Sequence, residues 1–317
     1  MSKLLIFLTL AEKIRHQYRD KIQARFPDLD IAVAGTREEA GETIGDADFL
    51  LTFGAMMRDE IFQKAKSLKW VHALGTGVDG IVDQPSLGPD VVVSATRGIH
   101  GKPMSEMAFL LMLALSRDFP RTLMAQEAAR WERWPAKLLD NKTAGILGVG
   151  LIAEELAPRC KAFGMEVIGI SQTERNVPGI DRFVTRDALN DAVPEIDYLI
   201  VLVPYDETTH NLIDGATFKA MKPNSYLINI ARGGVVDEAA LVAALNAGDI
   251  AGAGLDTFVD EPLPSDNPLW KTPNTIITPH LGGFNDAYPD HAMPQFENNL
   301  RFMLDGQPDR MINLERR

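Results

Sequence analysis

Short apolar, β-branched runs alternate with amphipathic stretches along the whole 317-residue chain, and this alternation constrains the fold more than any other feature. The runs predict strands over 3–8, 29–34, 48–52, 69–74 and 91–94, then 143–148, 165–170, 181–184, 197–203, 225–230, 251–255 and 275–278. Helical patterns such as 11–25, 237–246 and 287–304 lie between them. Strands of this kind, alternating with helices, form parallel sheets covered on both faces. The length exceeds one ordinary core, so two domains are expected. A boundary near residue 100 and a return near 285 assign 1–99 and 286–317 to one domain and 100–285 to the other.

The stretch 101–134 breaks the rhythm. KPMSEMAFLLMLALSRDF places Pro103 at the start of a helix with a broad apolar face, and Pro120 is expected to end it. Such a helix needs cover from a neighbouring domain or subunit, and its methionines read as packing residues. The net charge of −12 speaks against nucleic acid or an anionic membrane as partner, because phosphate binding relies on clustered Lys and Arg. No apolar run approaches the length that spans a bilayer. The opening MSKLLIFLTL runs straight into charged helical sequence without a cleavage site, so it reads as a buried strand, not a signal peptide. A lone cysteine, Cys160, excludes an intramolecular disulfide and fits a reducing, cytoplasmic setting, with the thiol as a small buried hydrophobe. The scattered histidines lack metal-ligand spacing, so no metal is expected.

Two turns match G-x-G-x-x-G/A. Gly75-Thr76-Gly77 is followed by IVDQPSLGPD, where prolines forbid a long helix. Gly148-Val-Gly150-Leu151-Ile152-Ala153 follows a strand and opens a helix, which is the context a dinucleotide needs. The expected fold class is therefore α/β, with two doubly wound parallel-sheet domains: a Rossmann-type cofactor domain and a flavodoxin-like substrate domain. About twenty residues on, an acid usually binds the adenosine ribose. This chain has Ser171, followed by Gln172, Thr173, Glu174 and Arg175. Hydroxyls and an arginine suit a 2′-phosphate, so NADP(H) is preferred; Glu174 opposes this, and NAD(H) stays open.

In an open parallel sheet, ligands bind beyond the carboxyl ends of the strands. Those ends carry Ser171, Val203-Pro204, Ala231-Arg232, Asp256 and His280, with Glu261 in the turn VDEPLP. Delivery of hydride to a carbonyl carbon requires a proton for the oxygen and a positive neighbour. His280 can supply the proton, and Glu261 can bond its other ring nitrogen and fix the tautomer. Arg232 can hold a carboxylate and polarise the adjacent carbonyl. The Gly75-Thr76-Gly77 turn can offer N–H groups to the same carboxylate. Phe53, Met56 and Met57 are placed along the substrate's side chain. Plainer roles exist: Arg232 as a surface charge, Glu261 as a turn carboxylate, His280 as a buried imidazole, and Asp256 as a cap. His72, His100, His210 and His291 read as structural, His100 lying nearest the cleft.

GILGVGLIA, INIARGGVVDEAAL, AGAGLDTFVDEPLP and NTIITPHLGG, in this order and spacing, resemble the D-isomer-specific 2-hydroxyacid dehydrogenase family, and LGTGVDGI extends the likeness into the first domain. The resemblance implies a homodimer with the active site in a cleft, Arg232, Glu261 and His280 as the catalytic set, and a small 2-keto or 2-hydroxy acid as substrate. It further implies cofactor contacts from Gly148, Gly150, Leu151, Ile152, Thr209, Ile230, Ala231, Asp256, His280 and Gly282, with Met104 beside the nicotinamide. In relatives acting on glyoxylate or hydroxypyruvate, a tryptophan from the partner subunit closes the pocket; Trp134 is the expected residue, with Trp131 as alternative. The reading that follows is an NADP(H)-dependent 2-ketoacid reductase. Its alternatives are an NAD-preferring enzyme of the same kind and a dinucleotide-sensing corepressor or scaffold.

Overall fold

The computed structural model describes residues 1–316. The chain divides into two compact units, Met1–Ile99 with Asn285–Arg317, and His100–Phe284.

The first unit holds strands β1 (Lys3–Phe7), β2 (Asp30–Ala34), β3 (Phe49–Thr52), β4 (Trp70–Ala73) and β5 (Val92–Ala95). They pair in parallel in the order β2-β1-β3-β4-β5, the flavodoxin-like arrangement. Successive residues feed opposite cores: Leu5 and Phe7 of β1 join Leu50 and Val71 on one face, while Leu4 and Ile6 join Leu51 and Trp70 on the other. Burial of both faces is why these strands read as unbroken apolar runs.

The second unit holds β6 (Thr143–Leu147), β7 (Glu166–Ser171), β8 (Arg182–Thr185), β9 (Tyr198–Val201), β10 (Tyr226–Asn229), β11 (Gly252–Leu255) and β12 (Thr275–Ile277). The order β12-β11-β10-β9-β6-β7-β8 is all parallel and doubly wound. From β6 the chain steps outward to β7 and β8, then returns to β9 on the opposite side. The carboxyl ends of β6 and β9 thus flank the point where the winding reverses, where such sheets bind ligands.

Two expectations need correction. Pro120 does not end the apolar helix. That helix, Gly101–Ser116, stops before a left-handed Asp118 (φ 52°), and Pro120 sits in the first turn of a second helix, Phe119–Glu127. A missing N–H costs nothing there, so proline starts a helix here instead of breaking one. A thirteenth strand, β13 (Leu314–Arg316), has no counterpart among the expected ones; it adds antiparallel to β5 and is too short to show a pattern. Cys160 is fully buried, and burial pushes its thiol up to about 12. No helix among the described residues is long and apolar enough to cross a membrane.

Candidate active site

The glycine turn after β6 is shaped by close approach. Gly148 has φ 108°, and a Cβ on it would stand 2.7 Å from the backbone of Leu202 and Val203, the chain leaving β9. Glycine alone lets the two strand ends meet so closely. Gly150 differs: a Cβ there would touch nothing within 4 Å. It is the N-cap of helix Leu151–Ala162 and offers no side-chain acceptor to the first-turn N–H groups. Those donors and the open approach suit the pyrophosphate of a dinucleotide. Ala153 is fully buried, letting the helix pack on the sheet, whereas Leu151 is exposed and Ile152 half-buried. Val203 is buried and Pro204 exposed beside the same turn.

At the end of β7, the Ser171 hydroxyl donates to the Thr173 carbonyl at 2.7 Å. A phosphate accepts hydrogen bonds, so Ser171 must rotate before it can donate to one. Thr173 is exposed. Arg175 reaches the glycine turn: Nη1 donates to the Val149 carbonyl at 3.0 Å, and Nη2 pairs with Glu154 Oε1 at 2.6 Å. Glu154, one turn into the following helix, carries no signal in the sequence that sets it apart from a solvated charge.

The loops after β10, β11 and β12 carry the polar groups. Asn229, the buried last residue of β10, donates from Nδ2 to the Arg232 carbonyl at 3.0 Å and accepts the Ala231 N–H at Oδ1, 3.2 Å. It shapes the turn that presents Arg232, whose Nη1 donates to the Ala231 carbonyl at 2.7 Å; Ile230 is buried beneath it. Glu261 accepts the Phe258 N–H at Oε1, 3.0 Å, and lies with Oε2 2.7 Å from His280 Nδ1. Burial pushes the Glu261 carboxyl up. The His280 hydrogen bond and charge, the Phe258 N–H and the Arg232 charge outweigh it and hold the carboxyl below the usual range. An ionised Glu261 requires a proton on Nδ1, which leaves Nε2 as the His280 atom for proton exchange with a ligand.

His280 itself is left-handed (φ 53°). Its turn is held by Asp256, fully buried at the end of β11, which accepts Thr278 Oγ1 at 2.6 Å, Leu281 N–H at 2.9 Å and Gly282 N–H at 2.8 Å. Asp256 therefore acts first as the anchor of the histidine loop, a role that strand-end position alone does not distinguish from ligand contact. A Cβ on Gly282 would stand 3.0 Å from Met104 Sδ, so the methionine lies against this turn. Thr209 is 1% exposed and its hydroxyl donates to the Pro204 carbonyl at 2.8 Å. That bond ties the side chain into the loop that follows β9.

His100, expected to be structural, lies half-buried in the same unit. Loss of solvent, reinforced by the Arg232 charge, pushes its imidazole down to about 4. A Cβ on Gly283 would stand 3.2 Å from His100 Cδ2, so a neutral imidazole borders the histidine loop. In the first unit, Phe53 lies beside the Gly75-Thr76-Gly77 turn, with Cδ1 3.6 Å from where a Gly75 Cβ would stand, and Thr76 Oγ1 donates to the Thr96 carbonyl at 3.3 Å. Met57 does not line a surface as expected: it is fully buried, because an unbranched apolar side chain next to the sheet gains more by filling the core. Trp134 is held by its own chain, its Nε1 donating to the Arg117 carbonyl at 3.3 Å and the Arg121 guanidinium 4.4 Å above its ring. Trp131 is 94% exposed.

Residues 109–282 match the model of the D-isomer specific 2-hydroxyacid dehydrogenase NAD-binding domain. The chain is 31% identical over 297 residues to glyoxylate/hydroxypyruvate reductase A of Yersinia enterocolitica, covering 92% of each protein. It is 31% identical over 307 residues to D-3-phosphoglycerate dehydrogenase of Methanocaldococcus jannaschii, where 94% of the chain spans 58% of the relative's length. Among solved structures, it superposes with TM-score 0.80 and 31% identity on a D-isomer specific 2-hydroxyacid dehydrogenase from Xanthobacter autotrophicus in complex with NADPH and MES, over 99% of this chain and 98% of that one.

Proposed function

The chain belongs to the D-isomer-specific 2-hydroxyacid dehydrogenase family, and from that premise we propose that it reduces small 2-keto acids of the glyoxylate or hydroxypyruvate type to D-2-hydroxy acids with NADP(H) as preferred cofactor. The observation that carries the reading is the Glu261–His280 pair at 2.7 Å, with the Arg232 charge acting on the same carboxylate. A bound nicotinamide would supply hydride to the carbonyl carbon. His280 would give its Nε2 proton to the carbonyl oxygen as the C=O electron pair collapses onto it, and Glu261 would balance the imidazolium before the transfer and hold the Nδ1 proton of the neutral ring after it. Arg232 would hold the substrate carboxylate and orient the carbonyl. Gly148, Gly150 and the first-turn N–H groups of Leu151 and Ile152 would hold the pyrophosphate, with Val203, Pro204, Ile230, Ala231, Asp256, Gly282 and Met104 shaping the nicotinamide end. The Gly75-Thr76-Gly77 turn and Phe53 are proposed as further substrate contacts, testable by Gly77→Ala, which should raise KM more than it lowers kcat.

The NADPH-bound relative and the Ser171, Thr173 and Arg175 set support the phosphorylated cofactor; the Glu154–Arg175 pair favours the NAD-preferring alternative. The experiment is oxidation of NADPH or NADH with glyoxylate and hydroxypyruvate, followed at 340 nm, and reverse oxidation of D- against L-glycerate. No turnover with any 2-keto acid would overturn the reading. A homodimer is also proposed. Leu110, Phe119, Leu123, Met124, Trp131 and Leu138 expose apolar side chains on and around the two helices after residue 100, and a second copy would cover them. Sedimentation equilibrium of the purified chain tests this, and a monomer at micromolar concentration would refute it.

A further inference from the structure

We propose that Glu154 competes with the 2′-phosphate of the cofactor for Arg175, so that this ion pair sets how strongly the chain prefers a phosphorylated adenosine ribose. The inference rests on the cofactor reading above. Arg175 is the cation that the segment after β7 brings to the glycine turn, and its Nη1 bond to the Val149 carbonyl at 3.0 Å fixes the guanidinium beside Gly148 and Gly150. Its Nη2 is taken by Glu154 Oε1 at 2.6 Å. Glu154 is the fourth residue of its helix, and helical side chains lean back toward the N-terminus, here toward the pyrophosphate turn.

Both side chains are partly exposed, at 44% and 40%, so the pair is screened and exchangeable and does not stand as a buried structural bridge. A dianionic phosphate approaching Arg175 must displace Glu154 or lie beside it, and either weakens binding. The two hydroxyls of an unphosphorylated ribose meet no such repulsion and can donate to the same carboxylate. Glu154 thus supplies from the helix part of the discrimination that a strand-end acid supplies elsewhere, in a chain whose strand ends in Ser171.

The test measures dissociation constants of 2′,5′-ADP and 5′-AMP by titration calorimetry on the wild-type protein and on Glu154→Gln, Glu154→Ser and Arg175→Ala. Both Glu154 variants are expected to tighten 2′,5′-ADP about fivefold while moving 5′-AMP less than about twofold, the scale of a screened ion pair. Arg175→Ala is expected to remove most of the preference for 2′,5′-ADP. Equal changes for both ligands, or none, would overturn the inference, since they would place any effect of Glu154 at the shared 5′-phosphate. The wild-type ratio tests the NADP(H) reading separately: a chain that favours 5′-AMP, yet gains 2′,5′-ADP affinity in Glu154→Gln, would refute that reading and keep this one.

Discussion

Gly233 meets Phe258 backbone to backbone: a Cβ on Gly233 would stand 1.9 Å from the Phe258 carbonyl carbon and 2.2 Å from the Val259 nitrogen. The loop presenting Arg232 and the loop presenting Glu261 are locked together there, and Glu238 accepts the Val259 N–H at 2.8 Å to hold the second loop. No flexible side-chain end can give way, so Gly233→Ala must part the loops. The expected cost is about 1–3 kcal/mol of stability, typical of overpacking, with kcat/KM lowered at least about tenfold as the polar set separates. Urea unfolding and steady-state kinetics measure both, and wild-type values would show that the contact is dispensable.

His280→Ala is expected to lower kcat by ~10²–10⁴, the usual worth of a positioned proton donor. Near-normal turnover would remove His280 from that role. Arg232→Lys keeps the charge but loses the planar fork, so kcat/KM should fall sharply; unchanged kinetics would count against carboxylate binding by Arg232.

Asp256→Asn is nearly isosteric but turns one acceptor into an NH₂ group facing a backbone N–H or the Thr278 hydroxyl. Because Asp256 is fully buried with three donors aimed at it, we expect a loss of at least about 2 kcal/mol and a fall in kcat as the His280 turn moves. Unchanged kcat in a destabilised protein would separate folding from catalysis and deny Asp256 its positioning role.

His72 lies between the Ser94 hydroxyl at 2.8 Å and the Thr96 hydroxyl at 3.1 Å, and burial pushes its imidazole down from 6.5 to about 3. Between those values the unfolded chain binds a proton that the folded chain refuses. Stability is therefore full above about pH 6.5 and falls on acidification, by about 1.4 kcal/mol per pH unit for this group. His100, pushed down to about 4, adds the same slope over a shorter window. Urea unfolding at pH 7, 6 and 5 should show a shallower decline in His72→Asn than in the wild type. Parallel slopes would mean that His72 is protonated within the fold.

Much of the site is legible in the chain itself. Strand ends in a doubly wound sheet converge, so reading the segments that follow β11 and β12 brings Glu261 and His280 together, and glycine spacing marks the turn after β6. What escapes has no periodic or compositional signature. Asn229 is hidden as the last residue of an apolar strand, Glu154 looks like any solvated helix charge, and Thr209 carries no mark of burial. Nor does RWERW encode locally the hydrogen bond of Trp134 to the Arg117 carbonyl or the stacking of Arg121 on its ring.

Chain order and hydrophobic pattern are enough to dictate two parallel α/β sheets, because both faces of every inner strand must be buried and only helical crossovers can cover them. The partners of individual polar groups are decided in three dimensions. Hydrogen bonds of 2.6–2.9 Å between segments separated in sequence, such as those of Asp256 to the His280 turn or Arg175 to Glu154, depend on where the loops and helices come to rest after the strands have packed.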